Sequence, residues 1–183
     1  MSLLAVYQFK VAHAIKLDGE VSYEELSKRV NLDELNLKRL VRHAMTNHIF
    51  REPRKGYVAH TRTSRILAED EQLQSWVGLT NEDCWPAMAR ATDALRKWPG
   101  SQEPNETGMQ LAYNTSDHFF KIIASSPERL RRHGKAMAAH SSAEGFGVAP
   151  LIDAYPWDSL GEGTVVDVRH SICLILSPSL VRI

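Results

Sequence analysis

Little in this 183-residue chain points to chemistry carried by sulfur, metal or net charge. Its two cysteines, Cys84 and Cys173, are too few for a disulfide framework and lack the spacing of a metal site, which favours a reducing compartment. Charge of one sign is also absent. The 22 Lys and Arg balance 22 Asp and Glu, so the chain as a whole is no obvious polyanion binder. No apolar run approaches the length of a membrane span. The opening, Met1 to Val6, is soon broken by Gln8 and Lys10 and has neither a cationic leader nor a cleavage site. The eight histidines show no HExxH or paired-ligand spacing, and no GxSxG, Walker or CxxC pattern occurs. Motifs therefore assign no catalytic, metal or cofactor residue. A composition of 43% hydrophobic and 24% charged residues fits a folded, cytoplasmic chain rather than a disordered one.

What is present is helical spacing. Leu3 to Leu17 reads as one strongly apolar helix, ended by Asp18-Gly19-Glu20. Ser22 and Glu25 fit a capping box on a short second helix that ends near Arg29 or Val30. Asp33 caps a third, whose stripe is Leu37, Leu40, Val41, Ala44 and Met45. Ile49-Phe50-Arg51-Glu52, Pro53 to Gly56, and Tyr57-Val58-Ala59-His60 then read as strand, turn, strand. Three helices and a β-hairpin make a winged-helix unit over residues 1–66.

A helical segment, residues 67–160, comes next. Helices are expected over Thr63 to Ala68, Glu71 to Leu79, Pro86 to Lys97, Ser116 to Ala124, and from Pro127 (behind the cap Ser126) to Ser142. In the Pro86 helix Trp85, Met88, Ala89, Thr92 and Leu95 are expected to face inward. Thr164-Val165-Val166-Asp167-Val168 is a continuous β-branched strand of the kind buried in parallel sheets. Residues 161–183 thus read as the truncated start of a Rossmann-like domain with a divergent tail. The fold class is mainly α.

Charge is uneven along the chain. Between Lys28 and Arg65 ten Lys and Arg face three Asp and Glu. Lys38, Arg39, Arg42 and His43 fall on the third helix, and Arg51, Arg54, Lys55, Arg62 and Arg65 lie in or just after the wing. Such a unit either lays its helix on DNA or is a winged helix reused for dimerisation, with its cations on a solvated face. The aromatics Trp76, Trp85, Trp98, Phe119 and Phe120 are core residues by default, yet would suit a flat, polyketide-like ligand.

Several strings resemble fungal secondary-metabolite O-methyltransferases, which are S-adenosylmethionine-dependent and similar in layout to plant caffeate-type enzymes. They are Glu20 to Leu26, Leu40 to Phe50, Val58 to Thr61, Lys97 to Gly108, Ser126 to Arg129, Tyr155-Pro156-Trp157, and Gly163 to Val168. The resemblance implies a dimerising winged helix and a substrate pocket between helical part and catalytic domain. It therefore argues against nucleic acid as the partner. It implies the near-wall residues Trp85, Met88, Phe119, Phe120 and Met137, chosen by residue type and helical position.

In the family the Val-Val-Asp-Val strand leads into a glycine-rich turn that holds the methyl donor. Here no glycine occurs after Gly163, and the ribose-binding acid and the histidine base have no counterpart. Arg169 to Ile183 reads as out-of-frame or intron-derived sequence, or else as a short apolar tail. The expectation is a truncated family member, inactive alone and without cofactor, that forms a homodimer or joins an intact homologue around a hydrophobic metabolite. A donor-independent pericyclase or dehydratase-like helper and a DNA-binding regulator are the alternatives.

Overall fold

A computed structural model describes residues 2–142 and 149–160. Helix α1, Ser2–Gln8, opens the chain but does not run on to Leu17. Lys10 takes a left-handed conformation (φ 50°), after which one 3-10 turn covers Val11–Ala14. On a straight helix Val6 would face away from Val11, Ala12 and Ile15. The break lets all four enter one core, each nearly fully buried.

Strand β1 (Glu20–Ser22) leads into α2 (Tyr23–Val30) and, past Asn31, α3 (Glu34–Met45). Both helices start where their caps predict. The Ser22 hydroxyl accepts the Glu25 N–H at 3.1 Å, and the Asp33 carboxylate accepts that of Asn36 at 2.9 Å. Leu26, Leu37, Val41 and Ala44 lie at the α2–α3 contact with no exposed surface, and α1 packs on α3.

The sheet differs from the expected hairpin. Strand β2, Tyr57–Ala59, pairs antiparallel with β1, setting Glu20 against Ala59, Val21 against Val58 and Ser22 against Tyr57. Ile49–Glu52 is not its partner strand, and only Arg51 bridges to Ala59. The reason lies in Phe50. Its φ of 68° is left-handed, which a bulky residue adopts only under tertiary constraint. The buried Phe50 ring, 5.7 Å from that of His60, supplies the constraint.

Beyond the sheet come α4 (Arg62–Glu69), capped by Thr61, and α5 (Glu71–Gly78), capped by Asp70. A wide π-helical turn, Leu79–Cys84, joins α5 to α6 (Trp85–Ala89), and α7 (Ala91–Lys97) begins after Arg90. Sequence spacing missed α8 (Gly108–Tyr113), which opens on a Thr107 capping box. The last helices of this part are α9 (Phe119–Ala124), shorter than expected, and α10 (Pro127–Ser142).

The expected inward face of α6 and α7 points outward. Trp85 is 59% exposed, Met88 66% and Leu95 71%, and Ala89 and Thr92 are exposed as well. In an unbroken helix Met88 and Leu95 would continue the buried face of Val77. The wide turn instead adds about one residue to the helical repeat and rotates the next helix by about 100°. Small residues fill the inner side. At Gly108 a Cβ would overlap the Ala87 carbonyl oxygen, so α8 packs directly on the α6 backbone.

The chain divides into two compact units, Met1–Ala136 and Met137–Ile183. In the second, α11 (Ala149–Ala154) precedes a 3-10 turn, Trp157–Leu160, with the Tyr155 and Trp157 rings 4.7 Å apart. The expected strand Thr164–Val168 and the tail beyond it lie outside the described residues.

Candidate functional site

Of the five residues expected to line a pocket, four fall into two pairs. Trp85 and Met88 stand on neighbouring turns of α6, both exposed. Phe119 and Phe120 open α9 with their rings edge to face, 5.4 Å apart. Phe120 is half exposed, while Phe119 sets its ring against the His133 imidazole of α10 at 5.5 Å. Met137, half-buried on α10, belongs to the second compact unit. Trp85, Met88 and Phe120 are surface-facing apolar groups on short helices, and Trp85 and Met88 follow directly on the π-helical turn that precedes α6.

A charge cluster that sequence reasoning missed gathers on that turn. Asp83, wholly buried, lies in the π-helical turn. Arg132 donates to its Oδ2 at 2.8 Å, and the Tyr113 hydroxyl to its Oδ1 at 2.7 Å. Arg129 pairs with Oδ1 at 3.0 Å and lays its guanidinium over the Tyr113 ring, 4.6 Å from the centroid. Arg132 also pairs with Glu82, which accepts from Gln8 of α1. Two carboxylates thus meet two guanidiniums, and the cluster ties the turn to α8 and α10.

Burial, then the hydrogen bond to Asp83, pushes the Tyr113 hydroxyl up to about 12. Burial also raises the Cys84 thiol and lowers His133, whose Nδ1 is buried without a hydrogen-bond partner. Both Asp83 oxygens are engaged, so the carboxylate is built to hold and not to abstract a proton. The legible signal was the Glu82-Asp83 pair in an otherwise apolar helical stretch, with Arg129 and Arg132 one turn apart further on.

Beside the cluster a cleft of about 620 Å³ opens between α1, α5 and the start of α10. Leu3, Val6 and Val77 line its apolar part, and Glu82, Glu128 and Arg132 its polar part. None of Trp85, Met88, Phe119 or Phe120 reaches it. Gly78 shapes the wall indirectly: a Cβ there would overlap the Tyr7 ring and the Arg132 side chain, which pack on the bare α5 backbone.

Part of the basic region around α3 and β2 is paired with acids. Arg42 grips Glu52 with two hydrogen bonds, 2.9 and 2.8 Å, while the Gly56 N–H donates to the same carboxylate at 2.7 Å. The Arg42 and Gly56 bonds hold Glu52 down at about 2. Arg54 pairs with Glu20 and Arg65 with Asp18, and Arg51 donates to the His60 carbonyl. Five of the ten cations between Lys28 and Arg65, namely Lys28, Arg29, Arg42, Arg54 and Arg65, are thus held in ion pairs within the fold. Among the described residues no group of His, Cys, Asp and Glu could hold a metal ion, and no helix is long and apolar enough to cross a membrane.

The family model for the O-methyltransferase dimerisation domain matches residues 1–70. The chain is 37% identical over 175 residues to chlorophenol O-methyltransferase of Trichoderma longibrachiatum, covering 93% of this chain and 38% of that protein. It is 35% identical over 182 residues to the grayanic acid biosynthesis cluster O-methyltransferase of Cladonia grayi, covering 96% and 37%. The chain thus spans under two fifths of the length of these relatives. Among solved structures, OxaC in complex with SAH and oxaline superposes with a TM-score of 0.72 at 22% identity, over 86% of this chain and 39% of that one.

Proposed function

Since the chain belongs to the fungal O-methyltransferase family, we propose that it forms the dimerising and substrate-holding part of an enzyme that methylates a hydroxyl on an aromatic or polyketide-like metabolite. The observation that carries this reading is the family match over residues 1–70 joined to identity along nearly the whole chain. In this reading residues 1–66 are a winged-helix unit given over to dimerisation. Trp85, Met88, Phe119 and Phe120 form the near wall of the substrate pocket, and a flat ring system suits their chemistry.

S-adenosylmethionine is the methyl donor the family implies, and the described residues do not fit it. Their sheet is the short antiparallel pair β1–β2, without the strand, glycine turn and helix that such a donor needs. Gly78 and Gly108 are covered by the protein's own atoms and offer no cradle. No glycine occurs after Asp167 in the sequence. The 183-residue chain by itself is accordingly proposed not to retain the donor, and no step of methyl transfer is derived from its residues. Calorimetry with S-adenosylmethionine checks this, and a micromolar dissociation constant would overturn it.

The holding role is tested directly. Sedimentation velocity at micromolar concentration is expected to show a dimer, or a complex with an intact homologue. Fluorescence titration with 2-naphthol, a flat phenol, is expected to show binding that Trp85→Ala weakens. A stable monomer whose naphthol binding ignores Trp85 would sink the reading.

A further inference from the structure

The outward face of α6 is set by the turn before it, and the turn is set by Asp83. An α-helix continuing from α5 would bury Met88 in line with Val77. The π-helical turn Leu79–Cys84 rotates α6 away, and such wide turns recur where a helix must re-aim functional side chains. A π turn has poorer intrinsic geometry than the α-helix it interrupts, so something must hold it open. Asp83 lies in that turn, wholly buried, with Arg129, Arg132 and Tyr113 all gripping it.

A buried ion cluster is a weak device for stability alone, because desolvation consumes most of its attraction. Its geometric consequence is specific. Returning the turn to α-geometry would move Asp83 around the helix and away from its three partners. Tyr113 adds a second tie, since its hydroxyl also lies 3.1 Å from the Glu82 carbonyl oxygen, a backbone acceptor inside the same turn.

We propose that Asp83 is a positioning residue: gripped by Arg129, Arg132 and Tyr113, it locks the π-helical turn and thereby fixes the phase at which α6 presents Trp85 and Met88 to a planar ligand. This rests on the reading of those two residues as pocket wall. The lock itself, however, is a property of the fold that can be measured without any ligand.

The test uses the full chain with Trp76, Trp98 and Trp157 changed to Phe, leaving Trp85 as the sole indole. Acrylamide should quench Trp85 readily, as its 59% exposure requires. Asp83→Asn and the milder Tyr113→Phe should each keep the helical circular dichroism while shifting Trp85 emission to the blue. They should also lower its quenching constant by about twofold, the loss of ring area that a turn of about 100° entails. Deleting Thr80 as well, which removes the extra residue and lets a plain α-helix present Trp85 at the parent phase, should restore both signals in the Asp83→Asn chain.

Glu71→Gln, which removes an exposed partner of Lys135, should leave both signals unchanged. If the Asp83 and Tyr113 variants fold and melt earlier but Trp85 keeps its emission and quenching, the cluster is only structural and the proposal is wrong. If Trp85 moves as expected while naphthol binding never depended on Trp85, the lock stands and the pocket-wall reading falls.

Discussion

Two regions of the first compact unit are built on different principles. Residues 2–60 bury apolar side chains against one another: Leu26, Leu37, Val41 and Val58 show no exposed surface, and Phe50 and Tyr23 close the ends. Residues 79–136 bury a charge cluster together with Asn81 and Gln110, and turn Trp85, Met88, Leu95 and Phe120 outward. The first arrangement is complete in itself. The second sets its polar contacts beside a smaller apolar core that includes Met109, Ile122 and Ile123, and leaves its outward apolar groups uncovered. Stability in the first should follow volume, and in the second it should follow pairing.

The sharpest break between the two should come from Asp83→Ala. Removing the acid strands Arg129 and Arg132 in a site they share with Glu82 alone, and orphaning buried charge costs about 3–5 kcal/mol. Replacing Asp83, Arg129 and Arg132 together by Leu, Met and Leu should recover much of that loss, because the one charge left without its cation is the partly exposed Glu82, which keeps its hydrogen bond from Gln8. Urea denaturation of both variants measures the difference. If the single substitution is neutral, or the triple is as damaging, the second region is not organised by pairing.

Next in size is Leu37→Ala. Leu37 has no exposed surface at the centre of the α2–α3 packing, and truncating such a side chain costs about 3 kcal/mol, of which part is the cavity left behind. Here no compensating substitution by charge removal exists. Leu37→Met, which keeps the volume, should cost under about 1.5 kcal/mol by the same measurement. A Met variant as damaged as the Ala variant would mean that this core responds to something other than volume.

The same contrast decides what could be read from sequence. The caps Ser22 and Asp33, the stripe of α3 and the extents of α2 and α10 were legible because local spacing and capping chemistry specify them. The sheet was not, because β1 hides in the turn residues Glu20-Val21-Ser22 and Phe50 is forced out of extended geometry by its ring's burial. The inward face expected for Trp85, Met88 and Leu95 was not legible either, because the wide turn before α6 rotates that helix by about 100°. The Glu82-Asp83 pair could be seen in the sequence but its role could not, because the partners of Asp83 sit on α8 and α10, about thirty and fifty residues away.

A smaller effect should appear at the extremes of pH. Glu52 is held at about 2 by Arg42 and the Gly56 N–H, below its ordinary 4.5. Its contribution is therefore fully present above pH 4.5 and is lost as pH falls towards 2. Tyr23 and Tyr113 are raised to about 12, by burial first and by Glu52 and Asp83 respectively after that. An unfolded tyrosine ionises near 10, so their contribution falls as pH rises from 10 to 12. Thermal melts should show Glu52→Gln flattening the acid limb and Tyr23→Phe or Tyr113→Phe flattening the alkaline one. An acid limb untouched by Glu52→Gln would show that the Arg42 grip does not survive in solution.

The smallest effect should come from the charges that neither region buries. Lys28 and Glu24 pair at 2.7 Å along α2, yet both side chains are about two-thirds exposed. Water screens such a pair, and holding two long side chains in one geometry cancels most of what remains. Glu24 sits in the first turn of α2 and Lys28 in the last, so each also meets a favourable end of the helix dipole without the other. Lys28→Ala should leave the melting temperature within experimental error at moderate salt, where Asp83→Ala lowers it steeply. A marked drop for Lys28→Ala would mean that surface charge shapes the first region as pairing shapes the second, and the contrast between them would lose its basis.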